Sequence, residues 1–365
     1  MKQILLGSLL LWMCWLAIPL CARTGKAQEE TFRLVHADKM FLSRQLEEQI
    51  LELAGKVHFF YGKTEFHSDR AIIFDKQKIA RMYGNVKVST DTLTLVADTV
   101  AYYRIPEILN LGGRVQATEA KPDGSFRTFN AEYGTYDKKE DKLTVWKNVK
   151  SYDKQENARG ECGYAFWDRK AGYAYLIENP ILYTAKDDTL VIRSEKMEFF
   201  DLDRRLVATF NVNTKSKDYE ISSDFLIYFL KEDRAVFTGQ PVFTSEYARA
   251  TAREFYLWME DRKPTRAELR DSCVVYFTEE AGAEKENWVK ASNIELEFRD
   301  NNIGRFSAEE RVSYYYKQEK QEKRDYMENS ASGEYLEAKF NEDNKLEIMW
   351  MNKGIRGKYK FQNNS

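Results

Sequence analysis

The stretch SDRAIIFDKQKIARMYGNVKV, from Ser68 to Val88, decides the fold of this chain. It opens with a small residue and an acid, continues with apolar residues to Phe74, turns through a polar run and ends on Gly-x-Val. The same order of residues returns from Ala97 to Val115, so two copies start at positions 68 and 97, 29 residues apart. A fixed period of this length is typical of a repeat architecture.

Looser copies of the motif cover most of the remaining chain. They start at Ala37-Asp38, Ala131-Glu132, Glu161, Ser194-Glu195 and Ser223-Asp224, and longer units start at Ala252, Ser292 and Ser332. The longer units contain insertions near 278–286 and 317–328, which we expect to be surface loops. The pattern therefore predicts one array of about ten units over residues 28–365, clearest at 68–115.

Apolar and polar residues alternate with a period of two wherever the motif is clear, which predicts strands with one buried face. Polar runs such as Asp75–Lys78 and Asp137–Asp141 are predicted turns. We expect Gly-x-Val to mark the place where one strand ends, with Val beginning the next. Residues 45–53 are predicted to be a strand despite a helix-like spacing, and a short helical turn is expected near 265–269.

The first 27 residues have a positive charge, an apolar run from Ile4 to Leu20 and a small-residue site ending at Ala27, which predicts a secretory signal peptide. A retained membrane anchor and lipid attachment at Cys21 are the alternatives, although bulky Leu20 disfavours the second. Removal of these residues leaves 53 basic and 58 acidic residues, a net charge of −5. A weak negative charge with interspersed signs excludes a nucleic-acid-binding surface.

Cys162 and Cys273 remain after the signal peptide, in units far apart along the array. Stacked strands lie about 4.8 Å apart, so residues several strands apart exceed the reach of a disulfide. We expect two half-buried thiols.

From Ser68 through Gly84-Asn85-Val86-Lys87-Val88, and then from Leu93 to Val100, the chain resembles the OstA-like family, which includes the LptA-like periplasmic proteins of lipopolysaccharide transport. The resemblance implies an all-β fold, an elongated repeat β-jellyroll or solenoid of antiparallel strands with a V-like section. It also implies an apolar interior groove that carries the acyl chains of lipopolysaccharide.

The residues expected to line this groove are inward apolar residues of the clearest units. They are Ile72, Phe74, Val86, Val88, Leu93, Leu95, Val115, Leu143 and Val145. The resemblance further implies a protein located in the periplasm, either free there or associated with the outer membrane. Its expected partners are lipopolysaccharide or lipid A, and OstA-like domains of the transport bridge or the outer-membrane translocon. Exposed strands at Gln28–Leu34 and Gly354–Phe361 would pair with such domains or with a second copy.

The same alternation also fits a structural or adhesive β-solenoid of the cell envelope, with a dry core and no lipid cargo. The two hypotheses differ in whether the interior contacts lipid. Neither hypothesis requires catalysis. Ser-Asp pairs recur without a repeated histidine, so we expect no enzyme activity, and the chain has no phosphate-binding loop or other cofactor motif.

Metal binding has little support in the sequence. One acid per unit, at Asp38, Asp69, Asp98 and Asp224, lacks the clustering of a calcium site and indicates polarity at a turn or strand edge. The three histidines, His36, His58 and His67, fall in the first two units, and His58 and His67 are expected to be strand-edge residues. We therefore expect no metal site.

Overall fold

The structure is a computed structural model that describes residues 31–184, 190–260, 263–278, 282–299, 302–317, 326–341 and 346–362. Within these residues no helix is long and apolar enough to cross a membrane. The predicted signal peptide, Cys21 and parts of the loops expected near 278–286 and 317–328 lie outside the described residues.

The described residues form 26 strands that belong to one sheet. The strands are Phe32–His36 (β1), Lys39–Gln45 (β2), Glu48–Tyr61 (β3), Thr64–Phe74 (β4), Ile79–Ser89 (β5), Leu93–Tyr103 (β6), Ile108–Ala120 (β7), Phe126–Asp137 (β8), Lys142–Asp153 (β9), Ala158–Asp168 (β10), Tyr173–Ile177 (β11), Ile181–Thr184 (β12), Leu190–Arg193 (β13), Lys196–Phe200 (β14), Arg205–Ser216 (β15), Tyr219–Phe229 (β16), Arg234–Thr238 (β17), Val242–Ser245 (β18), Ala248–Thr251 (β19), Glu254–Glu260 (β20), Lys263–Phe277 (β21), Asn287–Arg299 (β22), Asn302–Lys317 (β23), Tyr326–Phe340 (β24), Leu346–Asn352 (β25) and Arg356–Gln362 (β26).

All the described pairings are antiparallel, and most of the long strands pair with the strands before and after them in the chain, as β4 does with β3 and β5. Successive pairing of this kind builds an array in which each unit contacts the next one. The predicted all-β fold of antiparallel strands is therefore confirmed.

The Gly-x-Val motif lies within a strand, at a β-bulge, and not between two strands as we expected. In β5 the pairing register shifts between Tyr83 and Val86. Gly84 and Asn85, which lie in this bulge, have φ angles of +74° and +46°. A bulge bends its strand without ending it, so Val86 continues β5 beyond the bend.

Where proline follows the bulge, the strand is divided into two short ones. Pro180 separates β11 from β12, and Pro241 separates β17 from β18. Proline has no N–H group to donate to the ladder. Both halves still pair with one long neighbour, because β10 contacts β11 and β12 with its two halves.

The apolar face stays on one side of the sheet through the bulges and forms a single core that extends from Leu53 in β3 to Ala338 in β24. In β6, Leu93, Leu95 and Ala97 are buried before the bulge, and Val100 and Tyr102 are buried after it. The interior is therefore continuous along the described array.

Several local predictions can be checked directly. Residues 45–53 form the end of β2, a turn and the start of β3, and β26 confirms the strand expected at Gly354–Phe361. The helical turn expected near 265–269 is wrong, because these residues belong to β21. The loop expected at 317–328 is too long, since residues 326–328 already pair in β24 with β26.

Candidate functional site: the interior and the seam between its rims

Most of the residues predicted to line the groove lie in the interior. Each of these seven side chains is 0–1% exposed: Val86, Val88, Leu93, Leu95, Val115, Leu143 and Val145. They come from four strands, β5, β6, β7 and β9, that follow the clearest copies of the motif, and they belong to one apolar cluster. Whether the residues contact lipid stays a prediction.

 

Ile72 and Phe74 do not lie in the interior, and for them the prediction of an inward position is wrong. Both side chains are half-buried on the outer side of β4. Ala71, which precedes Ile72, and Ile73, which lies between the two, are buried instead. The reason is a bulge, because the register of β4 against β5 shifts between His67 and Arg70 and so changes which residues face inward.

The interior also contains an aromatic cluster that the prediction missed. The ring of Phe66 stacks on Phe59 with centroids 5.0 Å apart and lies 5.4 Å from the ring of Tyr102. Tyr61 lies 5.8 Å from Tyr102, and burial raises the pKa of the Tyr61 hydroxyl to about 12. The alternation of Val57, Phe59 and Tyr61 was the available signal. These rings fill the interior near the N-terminal end of the described array.

The repeated acids lie beside the bulges, where they are structural. Asp69 accepts a hydrogen bond from Asn85 Nδ2 over 2.9 Å, and Asp98 accepts one from Arg114 Nε over 2.8 Å. Two looser units show the same pairing, from Asn148 to Glu132 and from Asn211 to Glu195, again 16 positions apart. The acid of each of these units therefore binds the residue that is in the x position of its bulge.

The turns between strands form two rims, because successive strands run in opposite directions. The first rim consists of the turns at 62–63, 90–92, 121–125 and 154–157 with the strand ends beside them. The second rim consists of the turns at 75–78, 104–107, 138–141, 169–172 and 201–204. We call the contacts between side chains of the two rims the seam.

Arg127 forms the best-defined contact of the seam. From β8 at the first rim, its Nη1 and Nη2 each lie 2.9 Å from an oxygen of Asp201 at the second rim. Its Nε also donates to Asp153 over 2.9 Å. Burial by itself would lower the pKa of Arg127, but attraction to Asp201 and then to Asp153 outweighs it and raises this pKa. Burial would likewise raise the pKa of Asp153, but attraction to Arg127 outweighs it and lowers this pKa.

Arg169 crosses the seam from the other side. Its guanidinium donates to Thr92 Oγ1 over 2.7 Å and to Glu119 Oε1 over 3.1 Å, both at the first rim. It also donates to Asp141 within its own rim, and its side chain is 8% exposed. A third crossing joins Arg204 to Glu156.

Trp167 lies under the seam and links it to the interior. Its ring lies 5.3 Å from the guanidinium of Arg127 and 5.4 Å from that of Arg169. The same ring packs on Phe129 of β8 at a centroid distance of 5.4 Å. The interior is therefore covered here by the guanidinium groups of Arg127 and Arg169, which lie over the ring of Trp167.

The first strands leave an exposed apolar edge. β2 pairs with β3 along one side, and all seven of its residues are exposed. Among them, Met40, Phe41 and Leu42 are 61%, 59% and 69% exposed. Tyr359 in β26, at the opposite end, is 60% exposed. An exposed edge strand offers unpaired backbone groups to another strand.

The two cysteines are free thiols, as predicted; Cys162 is half-buried and Cys273 is buried. Burial raises the pKa of each thiol to about 12. Reactive cysteines depend on the thiolate form, so neither residue is suited to nucleophilic chemistry near neutral pH.

Comparison with known proteins agrees with the resemblance seen in the sequence. The family model described as OstA-like protein matches residues 29–122. Among solved structures, the chain is similar to LptH, described as the LptA-homologous periplasmic component of the lipopolysaccharide transport device from Pseudomonas aeruginosa, at 18% identity and a TM-score of 0.27. That match covers 29% of this chain and 75% of LptH, and its TM-score is too low to bear on function. No curated protein sequence matched. Residues 29–122 are thus similar to the OstA-like family.

Proposed function

We propose that this chain is a periplasmic lipid-binding protein of lipopolysaccharide transport, and that its interior holds acyl chains. The observation that carries the proposal is the continuous apolar face from β3 to β24. Burial of one CH₂ group is worth about 0.8 kcal/mol, so a few partly buried acyl chains would bind strongly. The proposed role is binding and transfer, without catalysis.

Acyl chains would enter where the rims meet. The interior residues contact one another closely, since Val86 and Leu93 are both 0% exposed. A lipid can therefore enter only if parts of the interior move apart, and the seam is held by ion pairs such as Arg127 with Asp201. Charged groups separated from each other can be rehydrated, whereas a separated apolar contact leaves apolar surface in water. The seam is thus the less costly place to open.

The exposed edges support a second part of the proposal, that the chain joins OstA-like domains end to end. β2 presents Phe41 and Leu42 beside its free backbone edge. Partner strands would add hydrogen bonds and cover these side chains. Self-association through the same edge is the alternative arrangement.

The proposal is tested by equilibrium binding of lipopolysaccharide to the purified protein, with the acyl-free core oligosaccharide as the matched ligand. We expect lipopolysaccharide to bind and the oligosaccharide not to compete. Competition by the oligosaccharide at equal concentration would show that the sugar is recognised, and would contradict an acyl-binding interior.

The structural solenoid remains the second candidate, and one observation favours it. The seven predicted groove residues are 0–1% exposed, so the protein's own side chains already fill the space around them. Under this hypothesis, the interior is a permanent core, and neither lipopolysaccharide nor the core oligosaccharide binds.

A further inference from the structure

The three histidines of this chain lie side by side on the outer face of three adjacent strands. His36 of β1 is opposite His58 of β3, and His58 is opposite His67 of β4. The imidazole rings of His58 and His67 stack with centroids 4.0 Å apart and an interplanar angle of 21°. The two-residue turn at 62–63 brings them into register although they are nine positions apart in the chain.

Glu65 completes a cluster with two of these histidines. Its Oε1 lies 2.9 Å from His58 Nε2 and 3.1 Å from His67 Nε2. The three atoms all lie within 4.8 Å of one another. His58 Nε2 is shielded from solvent, and its contact with Glu65 does not meet the geometry of a hydrogen bond.

We propose that His58, Glu65 and His67 bind a divalent transition-metal ion, with Zn²⁺ as the fitting ion. Two imidazole nitrogens and one carboxylate are a common ligand set for zinc, with bonds of about 2.0 to 2.2 Å and water in the fourth position. Ligand atoms around a tetrahedral ion at these bond lengths are roughly 3.4 Å apart. The two nitrogen to oxygen distances in the cluster are already close to that value.

The charge of the cluster suits a cation when both imidazoles are neutral. A glutamate side chain is ionised at neutral pH, so Glu65 supplies one negative charge to the site. One positive group opposes binding, because Lys87 of β5 is opposite His67 in the sheet and is exposed. Removal of the Lys87 charge should therefore tighten binding.

The ion would hold β3 and β4 together on the outer face near the first strands of the array. β3 also pairs with β1 and β2, the strands at the exposed edge. Since an ion that binds the folded protein alone shifts folding towards it, the site would stabilise the end of the array that carries this edge. The proposal does not depend on lipid binding.

The test is calorimetric titration of the purified, metal-free protein with Zn²⁺, supported by the visible absorption of Co²⁺ in the same site. We expect one ion per chain, and at least tenfold weaker binding in each of His58→Gln, Glu65→Gln and His67→Gln. Lys87→Gln should bind more tightly than the unchanged protein. His36→Gln is the matched control, a third histidine of the same row, and should bind as the unchanged protein does.

Two results would overturn the site. One is that His36→Gln weakens binding as much as His58→Gln, which would indicate unspecific binding to surface histidines. The other is that the unchanged protein shows no Co²⁺ absorption above that of His58→Gln. We expect the variants to fold, because the three side chains lie on the outer face. Urea unfolding of each metal-free variant checks this.

Discussion

Asn85 Nδ2 donates a hydrogen bond to Asp69 Oδ2 over 2.9 Å. This bond joins the acid near the start of the repeat to the Gly-x-Val motif near its end. Gly84 directly precedes Asn85 and has a φ angle of +74°. A Cβ atom at Gly84 would collide with the Asp69 side chain. The acid and the glycine of the motif are therefore two sides of one contact, which explains why they recur together.

Gly84→Ala should destabilise the protein for two reasons, backbone strain at positive φ and the collision with Asp69. We expect the free energy of unfolding to fall by about 2 kcal/mol. Gly124→Ala is the control, because Gly124 has a φ of +79° but no atom near its Cβ position. It should cost about 1 kcal/mol from strain alone. Equal losses in urea unfolding would contradict the role of the Asp69 contact.

Arg127→Met should weaken the seam, since it leaves Asp201 and Asp153 without their shared partner. Removal of such charged hydrogen bonds costs about 2 kcal/mol, and amide hydrogen exchange should increase at the turns near 153 and 201. Lys76→Met removes the ion pair with Glu47, in which the Lys76 side chain is 65% exposed. This control should change neither exchange at the seam nor the unfolding midpoint.

A bridge across the seam should block lipid loading if acyl chains enter there. We suggest Glu156→Cys with Arg204→Cys, two residues in contact across the rims, joined by a bifunctional maleimide. Cys162 and Cys273 would first be replaced by serine and alanine, respectively. The control is the same variant with each thiol capped separately. Equal loading of the bridged and capped proteins would exclude the seam as the entrance.

The ion pair of Arg127 and Asp153 predicts a loss of stability in acid. Attraction by Arg127 overcomes the effect of burial and lowers the pKa of Asp153. An unfolded aspartate has a pKa of about 3.9, so this stabilisation is complete above that pH. It is lost as the pH falls below about 4 towards the folded pKa.

Urea midpoints at pH 7, 5, 4 and 3 would measure this effect. We expect the difference between the unchanged protein and Asp153→Asn to shrink between pH 5 and pH 3. Asp91→Asn, at an exposed turn of the same rim, is the control. A difference for Asp153→Asn that stays constant with pH would contradict the assignment.

The sequence pattern was sufficient for the strands and for much of the interior, because alternation survives wherever a strand is regular. Val86, Val88, Leu93 and Leu95 are buried as predicted. The three consecutive apolar residues from Ile72 to Phe74 carry no alternation, so a bulge decided which of them face inward. The positive φ of Gly84 fits a turn as well as a bulge, which led us to misplace the strand boundary.

The seam and the histidine row could not be predicted in the same way. Arg127 and Asp201 are 74 positions apart, and no local pattern connects them. His58 and His67 come together because a tight turn sets the register of β3 against β4. Contacts of this kind depend on pairing and on bending of the sheet, which a chain of weak repeats does not specify residue by residue.

The most direct test of a lipid-filled interior uses two neighbouring residues of β5 with opposite orientations. Val86 is 0% exposed and faces inward, while Lys87 is exposed. A photo-crosslinking residue would be placed at each position separately in living cells, and each adduct probed for lipopolysaccharide. We expect adducts at position 86 and none at 87. A folded, periplasmic protein without adducts at position 86 would contradict the proposal and favour the structural solenoid.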